Sequence, residues 1–448
     1  MSKWYHKISA IGLVCAMVLS MGACGGSSSS ESGEEGSAST TETSSEGKEV
    51  VTFFHRWPNE PKNSLLNDAI AEFEAANPDI DVQADCVLND SYKEKIRILV
   101  SGNDVPDVFC SWSDSFITNL VGSGNVKALD DLLAEDPEWA ESFVQSQLPP
   151  FQVDGKQYAL PLCMDGKAFF YNKEAFEKAG CTVPTTYAEL LDCFEKLKAA
   201  GYETPFTEGL ADPWAVSHWQ GSILQRYIDP AVLASDMNLE TMSLTDDAYI
   251  QMLDTFKELT GYMGEAASAM THEDARNMFI SGEVPVLFAQ LAEIRIINGE
   301  ASTGAAGEGA QFEFGFFNFP SIEGGKGDQT GIQGAPEGWC LSADASDAAV
   351  KFYKFLLSKD FGAKYTQVTG ELSAIQGAVT EETANAEMME AFDTINNASS
   401  IIPWFDNAFE ASIADAFMRG GQSLAIGDMT SEEVMETVRA TAEEVKNS

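Results

Sequence analysis

The sequence predicts an α/β protein built around two separate cores. Three observations carry this: a strand, helix, strand order between residues 49 and 86; the return of that pattern further along; and a body of about 400 residues beyond Val50, more than one hydrophobic core accommodates. "EVVTFFHRW" (49 to 57) is rich in β-branched and aromatic residues and stops at a proline, so it predicts a strand. Leu65, Leu66, Ala69, Ile70, Phe73 and Ala76 follow at helical spacing, closed by Asn77 and Pro78. In "IDVQADCV" the apolar Ile80, Val82, Ala84 and Cys86 alternate, which predicts a second strand, hence a βαβ unit and a mainly parallel sheet.

Further along, "YKEKIRILVSGNDVPDVFCSW" predicts a helix, a Gly turn and a short buried strand at 107 to 111. "DGKQYALPLCMDGKAFFYNKEAFEKAG" predicts a hairpin or crossover, then the strand "KAFFYN", then a helix. "TYAELLDCFEKLKAAG" has an N-cap Thr, helical periodicity and a C-terminal Gly. "DARNMFISGEVPVLFAQ" reads as helix, Gly turn and strand, and "FEFGFFNFP" alternates Phe312, Phe314 and Phe316. "DAAVKFYKFLLSKDFGAKY" predicts one amphipathic helix, "NGEASTGAAGEGA" (298 to 310) a surface loop, and the remainder to Ser448 helices with Gly-rich breaks.

Seventy acidic residues face 27 Lys and Arg, a net charge of −43, which argues against nucleic acid and against electrostatic binding to an anionic membrane. Cys86, Cys110, Cys163, Cys181, Cys193 and Cys340 are irregularly spaced in apolar stretches and read as buried small hydrophobes, with one disulfide left open. There is no HExxH, CxxC, Walker loop, GxSxG or GxGxxG, so no catalytic, metal or cofactor site is predicted. A glycosidase, which needs only two carboxylates, stays open as an alternative.

The chain begins with Lys3 and Lys7, an apolar run from Ile8 to Met21, then Gly22 and Ala23 before Cys24. Residues 1–23 have the three-part layout of a secretory signal, and the apolar run is short of the roughly 20 residues that span a bilayer. From Gly25 to Lys48, almost all Gly, Ser, Thr, Glu and Ala, the composition predicts a flexible leash. "MGAC" resembles a bacterial lipobox, with Met21 where Leu is usual, which implies that Cys24 is acylated and becomes the N-terminus. Acyl-cysteine and leash together resemble the exported lipoproteins of Gram-positive bacteria, held on the extracellular face of the membrane.

"FEAANPDIDV", "VPDVF", "DGKQYALPL", "FFYNKEAFEKAG", "TTYAELLDCFEKLK", "FISGEVPVLF" and "FGFFNFP" are similar, in order and spacing, to extracellular solute-binding proteins of ATP-binding-cassette (ABC) importers, nearest the maltodextrin and oligosaccharide branch. The resemblance implies the two-lobe, type II periplasmic-binding-protein fold, with the ligand cleft between lobes joined by a multi-segment hinge. It implies a first lobe of residues 49–159 plus 318–370 and a second of 160–317 plus 371–448, with crossovers near 157–163, 311–320 and 368–375. It implies a monomer that carries out no catalysis, needs no cofactor, binds a carbohydrate and delivers it to the transmembrane subunits of an ABC permease. A polyamine or metal complex on the same fold is the alternative.

A sugar offers apolar faces to aromatic rings and hydroxyls to paired polar groups. Arg56 and Trp57 follow the first strand at the end where an open α/β sheet presents ligand loops, though Trp57 could equally cap the core. The resemblance places a hydroxyl-binding residue at Asp114, otherwise a helix N-cap, and a ligand carboxylate at Asp165, otherwise a turn residue. It makes Trp214 a stacking platform and leaves Trp219 to the core. Trp339 in "APEGWC" and Trp404 in "IIPWFDNAF" lie in Gly- or Pro-marked loops and are further candidate platforms, with Asp406 or Asn407 as hydroxyl partner. One departure stands out: after "VPVLF" the family often has "GSW", whereas "AQLAEI" here lacks a Trp near Ala292.

Overall fold

The computed structural model describes residues 47–102, 104–300 and 309–447. The signal segment, the lipidation candidate Cys24, nearly all of the leash and most of the 298–310 loop lie outside the described residues.

Strands are numbered in chain order. The first lobe is organised by β1 (Glu49–His55), β2 (Ile80–Cys86) and β3 (Val108–Trp112), beside which lies a small hairpin of β4 (Gln152–Val153) and β5 (Lys156–Gln157). β6 (Ala159–Met164) joins the main sheet, and β7 (Lys167–Asn172), β8 (Val286–Gln290) and β9 (Phe314–Phe317) form a second one. β10 (Ile332–Gln333), β11 (Glu337–Leu341), β12 (Leu372–Ser373) and β13 (Ile401–Ile402) complete the set. The six-stranded sheet has the order β12-β6-β11-β3-β1-β2. β1 pairs in parallel with β2 and β3, while β11 runs antiparallel to β3 and β6 and β12 antiparallel to β6, so β1, β2, β3 and β6 share one direction.

Local sequence explains these elements. The helix Lys62–Ala76 buries Leu65, Leu66, Ala69 and Phe73 on the sheet and is closed by Asn77, whose N–H reaches the Glu74 carbonyl. β2 buries Ile80 and Val82 but leaves Ala84 exposed, because an edge strand has packing to share only along part of its length. Thr186 and Glu189 form the reciprocal capping box that starts the helix Tyr187–Ala199.

In the second lobe β8-β7-β9 is antiparallel and centred on Phe169, whose ring lies 5.1 Å from Phe317, 4.7 Å from Phe288 and 5.6 Å from Trp219. The alternation expected of Phe314 and Phe316 gives way here: Phe314 and Phe317 are buried and Phe316 half-buried. The single helix expected after Asp347 is two, Asp347–Leu356 and Lys359–Thr369, because Ser358 caps the second by accepting the Phe361 N–H at 3.2 Å.

The chain leaves the six-stranded sheet after Met164 and enters the second at Lys167; it returns between Gln333 and Glu337. Residues 318–333, expected in the first lobe, therefore pack with the second: Phe319 and Ile322 join the core around Trp219, and Ile332 that around Phe170. Ile375 and Ala378, expected in the second, join the core of the first. The first two crossovers pass each other backbone against backbone. A Cβ on Gly334 would stand 2.1 Å from the Asp165 carbonyl oxygen, so that position requires glycine, while one on Gly166 would stand 2.6 Å from Ile332 Cδ1 and would force that side chain to shift.

Candidate functional site

A cavity of about 490 Å³ lies between the two lobes, where the crossovers meet. From the first lobe its wall takes Arg56 and Trp57 just past β1, Trp112 at the end of β3, and Glu337 at the start of β11, so strand ends deliver the side chains. Lys62, Lys93 and Glu371 add charge from flanking helices and loops. The second lobe presents Trp214 and His218 from the helix Pro213–Tyr227, and His272 and Arg276 from the helix His272–Ile280. Glu293, just past β8, and Trp404 and Asp406 complete that side.

Each cavity cation is matched to an acid. Arg56 pairs with Glu337 and donates to Asn89 Oδ1 at 2.9 Å; Lys62 pairs with Glu371; Lys93 lies 3.1 Å from Asp406; Arg276 lies 3.1 Å from Glu293. The first-lobe indoles carry these cations on their faces, with the Arg56 guanidinium 4.8 Å from Trp57 and 5.0 Å from Trp112 and Lys93 4.8 Å from Trp112. On the second lobe Trp404 stacks on His218, ring centroids 4.2 Å apart, and half-buried Trp214 sets its edge 4.9 Å from His272.

Behind this wall lies a buried chain of charges. His272 Nδ1 is 2.6 Å from Glu208 Oε1, its Nε2 2.7 Å from Glu293 Oε1, and Lys167 Nζ 3.5 Å from Glu208 Oε2. Burial disfavours the charged imidazole, but Glu293 and Glu208 overcome it and raise its pKa to about 9. Burial likewise opposes ionisation of Glu293, yet His272 and Arg276 hold that carboxylate well below its usual range. Asp165 differs: burial pushes it up to about 7, although its carboxyl accepts from the Gly166 and Ala292 N–H groups and from Gln290 Nε2. Burial also keeps His218 uncharged, its pKa far below normal, with Lys167 and His272 adding to the effect.

Of the residues expected in a site, Arg56, Trp57, Asp165, Trp214, Trp404 and Asp406 line the cavity, with Asn407 beside them. Trp219 is core, as expected. Asp114 and Trp339 are not brought to it. Asp114 stands at φ 58°, half-buried, accepting from Ser113 Oγ at 2.6 Å, and it precedes the helix Ser115–Val121 without capping it. Burial pushes its pKa up to about 6. Trp339 is inside β11, flanked by β3 and β6, with its ring 5.1 Å from Phe53 and 5.5 Å from Trp57. Glu337, two residues earlier, is what that strand sends to the cavity.

Sequence reasoning missed Lys62, Lys93, Trp112, His272, Arg276, Glu293 and Glu337. A signal existed for Trp112, which ends a buried strand exactly as Trp57 follows one, and for His272, one of three histidines beyond the first 23 residues. Among the described residues no group of His, Cys, Asp and Glu is arranged to hold a metal ion, and no helix is long and apolar enough to cross a membrane.

Comparison with known proteins agrees with this architecture. A multiple sugar-binding protein of Streptococcus mutans is 24% identical over 387 residues, 84% of each chain. A structure from a study of xylan utilization by the thermophilic bacterium Caldanaerobius polysaccharolyticus superposes with a TM-score of 0.78 at 23% identity, over 87% of this chain and 99% of that one. A chitin oligosaccharide binding protein superposes with a TM-score of 0.77 at 22% identity, over 90% of this chain and all of the other. At these identities the two structures establish the fold: two α/β lobes of the type II binding-protein kind. The family model for bacterial extracellular solute-binding proteins, receptors rather than enzymes, matches residues 57–363. The chain belongs to the bacterial extracellular solute-binding proteins.

Proposed function

We propose that this protein captures an uncharged sugar or short oligosaccharide between its lobes and delivers it, as a monomer, to an ABC permease. One observation carries the reading: buried polar atoms of the cavity wall have no partner within the protein, while the charged groups around them are paired. Arg56 Nε, Trp57 Nε1, Arg276 Nε and His218 Nδ1 are all in this state. Most buried groups of this kind find a partner in the functioning molecule. Ligand hydroxyls can satisfy them, and a neutral ligand leaves the ion pairs intact. A phosphate or a polyamine would have to compete for one member of a half-buried pair, which a neutral ligand avoids. Trp214 and Trp404 supply ring faces for the apolar side of a pyranose, and Asp165 and Asp406 accept hydroxyls. Contacts to both lobes favour closure because the open form lacks half of them.

The test is a thermal-shift panel on residues 49–448 with raffinose, maltotriose, xylotriose, chitotriose, spermidine and glycerol 3-phosphate, with ligand consumption followed in parallel. At free ligand near 100 times Kd, binding adds about 2.7 kcal/mol, so a raised melting temperature with a neutral saccharide and no consumption is expected. A shift only with spermidine or the phosphate ester overturns the neutral-ligand reading, and consumption makes the protein a glycosidase.

The sequence at Cys24 supports a lipid anchor on a leash, which would hold the receptor beside its transporter; two acyl chains suffice where one is marginal. Cys24→Ala is expected to move the protein from the membrane fraction to the medium. Equal retention in the membrane fraction would sink the anchor.

A further inference from the structure

We propose that His272 is a positioning residue for ligand capture, holding Glu293 in the cavity wall as a fixed hydrogen-bond acceptor. The inference rests on the capture reading above and deepens it. An ionised carboxylate only accepts hydrogen bonds, so an imidazole with Nδ1 2.6 Å from Glu208 and Nε2 2.7 Å from Glu293 has to donate from both nitrogens and carry the charge. The surroundings agree. Asp212 accepts the His272 backbone N–H at 2.8 Å, Lys167 faces Glu208 and Arg276 faces Glu293, while neutral His218 and the Trp214 ring close the remaining side. A protonated His272 sets a positive charge between the Glu208 and Glu293 carboxylates, which Lys167 and Arg276 also face, Arg276 being shared with the more exposed Glu273.

The helix start fixes the ring in place. Thr271 and Asp274 form a capping box that sets His272 at the first helical position, facing inward. On Glu293, Oε1 accepts from His272 and, at 3.3 Å, from the Gln290 N–H, while Oε2 accepts from Arg276 Nη1 at 3.1 Å. That leaves acceptor capacity on Oε2, and the neighbouring Arg276 Nε is a donor without a protein partner. An acceptor beside a donor on one rigid unit suits adjacent hydroxyls of a sugar, of which one gives a proton and the other takes one.

Two measurements test this. Imidazole nitrogen NMR on the intact protein at pH 8 is expected to show His272 protonated on both nitrogens. Calorimetric titration with the neutral saccharide giving the largest thermal shift is expected to show roughly ten- to hundredfold weaker binding for His272→Gln and Glu208→Gln, as befits a lost charge-assisted bond. Wild-type affinity should fall as the ring titrates at about 9, and His272→Gln should be weak and lack that fall, while any change near 7, where the cavity-wall Asp165 titrates, is shared by both. A neutral ring at pH 8, or folded variants with wild-type affinity and pH profile, overturns the inference. If His272→Gln does not fold, Glu208→Gln and the NMR spectrum decide. If no saccharide binds the wild type, the capture reading has failed, and the NMR result still tells whether the ring is clamped as a cation.

Discussion

Replacing Arg226 with Met is expected to destabilise the protein by about 3–5 kcal/mol, read from urea unfolding, although the site lies outside the cavity wall. The guanidinium is fully buried and serves backbone rather than acids: Nε donates to the Pro320 carbonyl at 3.3 Å, Nη1 to Asp328 at 2.7 Å and Gly331 at 3.0 Å, and Nη2 to Phe319 at 2.6 Å. Burial lowers its pKa to about 10, so the charge is held at a cost that the four bonds and the charge of Asp328 offset. Met would fill much of the volume but donate nothing, and each buried carbonyl left bare costs about 1–3 kcal/mol before the loop relaxes. Lys would recover little, lacking the planar fork. The loop so held, residues 319–331, leads directly into the Gly334 crossover, so ligand affinity should fall along with stability. An unfolding midpoint for Arg226→Met equal to the wild type would refute the assignment.

The second large effect is alkaline. His272 has a folded pKa of about 9 against 6.5 unfolded, so across that window the folded protein keeps a proton that the unfolded chain has released. Its stabilisation is complete below pH 6.5 and gone above 9, and is on the order of 3 kcal/mol. Glu293, depressed, reports the same contact from the acid side, with stability present above its ordinary range and lost as the carboxylate protonates, so the two are not summed. Asp165, raised to about 7, also loses stability with rising pH, but over the lower interval from 3.8. Comparing urea midpoints of wild type and His272→Gln at pH 6, 7.5 and 9.5 isolates the histidine: the wild type should lose part of its advantage by pH 7.5 and the rest by 9.5. Parallel curves would show that the clamp stores no such energy.

Much of the fold was legible because its signals are local. Leu65 to Phe73 at helical spacing, the Thr186 cap and the apolar run of β3 each specify their own element. The lobe boundaries were less so, because which core Phe319 or Ile375 joins depends on pairings between segments far apart in the chain. The site divides in the same way. Trp57 could be found from a strand end, and Trp214 from the resemblance carried by the Pro213–Trp214 pair. Trp339 misled because Pro336 and Gly338 read as loop punctuation, while Gly338 and Trp339 both lie within a central strand. Glu208, Glu293 and His272 carried no pattern: 64 and 21 residues separate His272 from its two carboxylates, and only the fold makes them neighbours. Ala292, where a Trp was missed, contributes its backbone N–H to Asp165 instead.

The glycine crossing has a mechanical consequence. Met164 is fixed to the first sheet by its pairing with Leu372, while Gly166 is already fixed to the second lobe, its carbonyl accepting the Leu291 N–H at 2.8 Å. Gly334 is fixed to the second lobe through its N–H on the Ile402 carbonyl at 2.9 Å, and Glu337 to the first through β3. What is left to twist is the link around Asp165 on one crossover and Ala335–Pro336 on the other, and proline's ring removes one of those torsions. Few soft dihedrals and a close backbone approach restrict how these two crossovers can bend, and Asp165, a wall of the cavity, sits where they pass.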